Sequence, residues 1–160
     1  MARSIGLSAG LVVAYYLLPM DAPFDRGTVA GLVVGLIAVT ALFLWQVRAI
    51  VRSPYPGLRA VEALAVVVPL FALLFATSYF LLARATPGSF TEPLTRTDAL
   101  YFALTVISTV GFGDITAQTE TARVMTMIQM AGGILLVGVA ARVVVKAVET
   151  GRRRRDLKNK

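Results

Sequence analysis

The sequence predicts an all-α integral membrane fold of four transmembrane helices plus a short re-entrant helix. Composition is the first reason. Of 160 residues, 57% are hydrophobic and mean hydropathy is +0.74, well above the roughly 45–50% apolar usage of soluble domains. The second reason is four apolar runs on the scale of the roughly 20 residues that cross a hydrocarbon core about 30 Å thick. The third is the segment between the last two runs. It holds a shorter apolar stretch that ends in "STVGFGD", Ser108 to Asp114, where glycines, hydroxyls and a carboxylate break the hydrophobic pattern.

The first run, Ile5 to Met20, is the shortest and ends at Pro19 before the turn-rich "DAPFDRG". A secretory signal peptide is its rival reading, but no A-x-A-like site follows. Gly6 and Gly10 form a small-residue pair, and Gly27, Gly31 and Gly35 repeat that spacing from just before the start of the second run, Thr28 to Val51. The two helices are expected to pack as a hairpin through these glycines, or the glycines reflect only membrane-helix composition. The third run, Ala60 to Ala83, carries Pro69, where a kink is tolerable inside a bundle. The fourth is Thr121 to Val148.

Lysines and arginines set the orientation. Arg48, Arg52 and Arg59 lie in or beside the second link, while Arg142, Lys146, Arg152 to Arg155, Lys158 and Lys160 crowd the last stretch. Both belong inside, so a multi-pass protein of the cell membrane with both termini cytoplasmic is expected. Trp45 then falls near the cytoplasmic interface. The net charge of +7 belongs to this orientation signal and not to nucleic-acid binding, since the basic residues flank apolar segments. Apart from Arg48 at the inner end of the second, the first two runs carry no charge, so moving them through the field does little electrical work.

The chain has no cysteine and no histidine. That excludes disulfides, thiolate nucleophiles and imidazole metal ligands. The outside loop from Arg84 to Glu120 is too long for a simple connection, and "DALYFALTVIS" within it has helical character. Thr97 is expected to cap this helix with Asp98 in the first turn. Asp98 to Ser108 makes 11 residues, about 16 Å or half a bilayer. A helix of that length dips in and returns through "TVGFGD". Irregular backbone at membrane depth is permitted only where protein buries it or where it lines a watery path. Gly111 and Gly113 permit left-handed backbone angles, which let successive carbonyls face one way and replace the water shell of a cation.

Thr109-Val110-Gly111-Phe112-Gly113-Asp114 resembles the potassium-channel selectivity filter, with Phe in place of the usual Tyr. The resemblance extends from about Leu58 to Val148 as outer helix, pore helix, filter and inner helix. It divides the chain into an N-terminal two-helix hairpin (1–57), a pore domain (58–148) and a basic cytoplasmic tail (149–160). It implies that potassium ions (K+) bind at Thr109, Val110, Gly111 and Phe112, that Gly113 allows the return turn, and that Asp114 sits at the outer mouth. Tyr101 and Phe102 stand where many relatives brace the filter with two aromatic donors; Thr105 stands where some have Glu, and Ser108 where many have Thr. Phe102 and Phe112 are expected to pack ring on ring, within or between subunits, and Tyr101 to reach Asp114. Gly132 and Gly133 are a gating hinge or a close-packing spot. Ile134, Val137 and Ala141 line an apolar cavity. One filter per chain implies a homotetramer. Arg152 to Arg155 offer a site for anionic lipid in the bilayer.

A non-selective cation channel and a non-conducting subunit are the nearest alternatives. "GFGD" also fits the GxGD motif of intramembrane aspartyl proteases, but that chemistry needs two carboxylates sharing a proton. The other aspartates, Asp21, Asp25, Asp98 and Asp156, all fall at predicted loops or termini. The protein is therefore not expected to be an enzyme.

Overall fold

The computed structural model of the chain describes residues 2–17, 27, 30, 31, 34, 35, 37, 38, 41, 45 and 56–158. Its helices are α1 (Ala2–Leu17), α2 (Pro56–Ala85), α3 (Arg96–Ile107) and α4 (Glu120–Lys158). Among the described residues there is no strand, only an isolated bridge between Phe90 and Ala117. The described positions from 27 to 45 are helical, but most of the predicted second helix, and the links on either side of it, lie outside the described residues.

Among the described residues, two segments are long and apolar enough to cross a membrane, Val61–Ala85 at a mean hydropathy of 2.3 and Glu120–Gly138 at 1.3. They differ in surroundings. Half of the most apolar window of α2 is buried inside the chain, against 28% for α4. α2 is the hub and packs against α1, α3 and α4. The spacing of its aromatic residues explains this role. Phe71, Phe75 and Tyr79 recur at every fourth position and so share one face of the helix. Phe71 and Phe75 are 4.9 Å apart between ring centroids. Tyr79 meets Phe90 and Phe102 edge to face, at 5.6 and 5.0 Å, a geometry that adds about 0.5–1.5 kcal/mol per pair to area burial. α2 continues without a break through Pro69. A little over two turns later, the Thr77 and Ser78 hydroxyls donate back to the carbonyls of Leu73 and Leu74, a local bond that keeps hydroxyls inside apolar helices satisfied.

α1 joins this core through Leu11 and Tyr15. The expected glycine hairpin involves a second helix most of which lies outside the described residues. Nothing lies within 4 Å of a Cβ built on Gly6, Gly10 or Gly31, whereas one on Gly35 would stand 2.9 Å from Leu74 Cδ1. The close glycine approach is therefore to α2, and α1 docks through a large aromatic side chain. The end of α1 is tied to the start of α3. The Tyr15 hydroxyl donates to the Arg96 carbonyl at 2.7 Å, and Arg96 Nη1 donates to the carbonyls of Tyr15 and Tyr16 at 3.3 and 2.7 Å. These last-turn carbonyls lack intrahelical partners, and the guanidinium supplies donors to them.

α3 begins two residues earlier than its sequence suggests. Its N-cap is Thr95 and not Thr97. Asp98 decides the register, because it is the third residue after Thr95 and completes a capping box. Asp98 Oδ2 accepts from the Thr95 amide at 2.9 Å, and the Asp98 amide donates to Thr95 Oγ1 at 3.2 Å. α4 exceeds its predicted span and runs helically through Arg152–Arg155 to Lys158. Arginine and lysine are good helix formers, so the helix persists after the apolar pattern ends.

Candidate functional site

α3 is 12 residues long, about 18 Å, and it delivers the chain to an irregular segment at 109–114. Three residues there have positive φ at alternate positions: Thr109 at 58°, Gly111 at 54° and Gly113 at 81°. The glycines take these angles without a Cβ penalty. Thr109 was not foreseen, since a β-branched residue rarely enters this region and its presence marks local strain. The amides of this segment turn back toward α3. Val110 and Gly111 both donate to the Thr105 carbonyl, at 3.1 and 3.3 Å, and Thr109 donates to Val106 at 3.1 Å. These bonds satisfy carbonyls at the helix end, where intrahelical donors run out.

Thr105 itself is buried, and its hydroxyl donates to the Phe102 carbonyl at 2.9 Å. Ser108 is the C-cap of α3, and its hydroxyl donates to the Thr105 carbonyl at 3.3 Å. The segment's own side chains face outward, with Val110 55% and Phe112 70% exposed.

Above the segment, the Tyr101 hydroxyl donates to Asp114 Oδ2 at 2.7 Å. That bond holds the Asp114 carboxyl below its ordinary range. Phe112 stacks on Tyr101, with ring planes 4° apart and centroids 6.3 Å apart. The expected Phe102–Phe112 packing does not form within the chain. Phe102 is buried instead between Tyr79 and Phe90. Adjacent residues on a helix point about 100° apart, so Tyr101 and Phe102 cannot both face the segment. The return path carries a contact the sequence did not reveal. Thr91 Oγ1 donates to the Asp114 carbonyl at 3.2 Å and accepts from the Thr116 amide at 3.1 Å.

Below the segment lies a cleft of about 620 Å³, lined by Thr105, Thr109, Gly111, Met130, Ile134 and Val137 among others. Ile134 and Val137 are thus brought together with Thr109. Ala141 is exposed one turn further along α4 and does not line this cleft. Gly132 meets a neighbour: a Cβ there would stand 2.9 Å from Phe71 Cζ, so it is a close-packing position between α4 and α2. At Gly133 a Cβ would meet Ile107 Cγ1 at an ordinary 3.7 Å.

A family model described as ion channel matches residues 67–150. No curated protein and no solved structure matches the chain. The match covers more than half of the sequence and takes in α3, the 109–114 segment and most of α2. The chain belongs to this ion-channel family, and is accordingly a membrane transport protein of helical build. Asp98 is engaged in the N-terminal cap of α3 and Asp114 with the Tyr101 hydroxyl.

Proposed function

We propose that the protein is a potassium-selective channel whose filter is the segment 109–114, repeated around a four-fold axis in a homotetramer. One observation carries this reading: positive φ alternates along Thr109, Gly111 and Gly113 while the Val110 and Gly111 amides are drawn back to the Thr105 carbonyl. A backbone of alternating hand directs its carbonyls to one side, opposite the bonded amides. Four such rows replace the hydration shell of a dehydrated cation. Carbonyls of Thr109, Val110, Gly111 and Phe112 coordinate K+, with the Thr109 hydroxyl at the inner end. Asp114 concentrates cations at the outer mouth. The C-terminal end of α3 adds negative potential below the filter.

One chain brings one filter strand, so the ring needs further copies. Apolar exposure supports this. Val110, Phe112, Ile134, Leu135 and Val137 are all more than half exposed, and a tetramer covers such faces that lipid alone does not seal around a watery path. The tetramer sits in the cell membrane with four helices per chain crossing it and both termini cytoplasmic. In that orientation the ends of α1 and α2 and the start of α3 share the outer side, which suits the contact between Tyr15 and Arg96. The basic end of α4 then meets the anionic cytoplasmic leaflet.

Full-length protein reconstituted in liposomes tests the reading. Potassium flux should exceed sodium flux, and Gly111→Ala should abolish it. Nothing lies within 4 Å of a Cβ at Gly111, so the objection to alanine is its φ of 54°, a conformation costing an L-residue roughly 1–2 kcal/mol. Equal flux of the two ions leaves a non-selective channel, and no flux of either leaves a non-conducting subunit.

A further inference from the structure

An amide side chain lies in the middle of an apolar helix, and the filter machinery described above does not use it. Gln129 of α4 is fully buried, as are Tyr79 of α2 and Ala103 of α3. Tyr79 donates its hydroxyl hydrogen to Gln129 Oε1 at 2.5 Å, and Gln129 Nε2 donates to the Ala103 carbonyl at 2.7 Å. The two bonds fix the orientation of the amide, because a flipped group would set oxygen against the carbonyl. Among the described residues, no buried side-chain nitrogen or oxygen is left without a partner.

This chain of bonds joins all three helices of the pore region at one point. Ala103 stands two residues before Thr105, whose carbonyl holds the Val110 and Gly111 amides. Gln129 stands one turn before Gly133, above the part of α4 that lines the cleft. Apolar side chains of similar size would fill the same space at little cost in stability, since a hydrogen bond exchanged for burial nets little. What apolar packing does not do is fix one position along a helix axis, and a directional bond does. We infer that Gln129 is a positioning residue: oriented by Tyr79, it locks the depth of α3 against α4 and so fixes the Thr105 carbonyl under the filter amides.

This inference rests on the filter reading for its consequence, but its test does not require conduction. Amide hydrogen exchange is measured at Val110 and Gly111 in the full-length protein, for the wild type, Tyr79→Phe, and the double variant Tyr79→Phe/Gln129→Met. The double variant removes both polar partners together, so its thermal midpoint should stay near that of the wild type. Its filter amides should nevertheless exchange at least about threefold faster, the size expected of one lost hydrogen bond. Tyr79→Phe leaves the Gln129–Ala103 bond in place and should give a smaller acceleration; it carries the test if the double variant does not fold. Cation currents recorded in parallel should decay faster in the order of the exchange rates. Wild-type exchange in whichever variants fold overturns the inference, whether or not their thermal midpoints change. A wild type that passes sodium as well as potassium overturns the filter reading instead, and leaves the exchange result to decide the role of Gln129.

Discussion

Asp114 and Tyr101 form a bond on which the outer end of the 109–114 segment depends. Asp114 is exposed and Tyr101 only partly buried, so the contact contributes by placing the carboxylate more than by burying it. Removing the donor in Tyr101→Phe should speed the decay of current, while Phe112→Tyr should not slow it, because Phe102 is turned into the core and offers the new hydroxyl no partner. The same bond sets a pH dependence. The hydrogen bond from Tyr101 lowers the Asp114 pKa from its ordinary 3.8. A carboxyl depressed in the folded state lends stability above its unfolded-state pKa and loses it as pH falls through the folded-state pKa. Current decay in the wild type should therefore be unchanged between about pH 7 and pH 5 and should quicken only below about pH 4, the ordinary carboxylate range. In Tyr101→Phe the onset should move up toward that range. Identical onsets in recordings of the two proteins would show that the tether does not hold Asp114.

At the scale of elements, α3 is held at both ends by contacts of different legibility. Its existence and its glycine-bearing exit are plain in "DALYFALTVISTVGFGD", because helical apolar spacing and alternate glycines are local signals. Its start is ambiguous in sequence. Thr95 and Thr97 are both competent caps, and only the reciprocal bonds of Asp98 select Thr95. The partners of Phe102 are not readable locally, since Tyr79 and Phe90 come from other parts of the chain. Thr91 and Arg96 were missed for the same reason. Gln129 did leave a signal, as a lone amide in an apolar run is costly unless it has partners across the bundle. The tie between α1 and α3 depends on Arg96, which bonds two terminal carbonyls of α1. Arg96→Ala should lower stability by on the order of 1 kcal/mol, in line with partly exposed hydrogen bonds. A thermal midpoint equal to the wild type in detergent would mean that α1 is held without the guanidinium, by Leu11 and Tyr15 packing and the Tyr15 hydroxyl bond to the residue-96 carbonyl.

The whole molecule is lopsided in a way that fits its family. α2 is wrapped by its neighbours, whereas α4 presents Met127, Ile128, Met130, Ile134, Leu135 and Val137 outward. A soluble protein would not carry so continuous an apolar face. In the proposed tetramer, lipid would cover part of it and other copies the rest. The exposed side chains of the 109–114 segment and the cleft beneath them suit the proposal of a site completed by assembly. The central claim is that this assembly discriminates potassium from sodium. The most direct measurement is the reversal potential of the purified protein in planar bilayers with potassium on one side and sodium on the other. The account predicts a reversal displaced far toward the potassium equilibrium potential. A reversal near zero would contradict it.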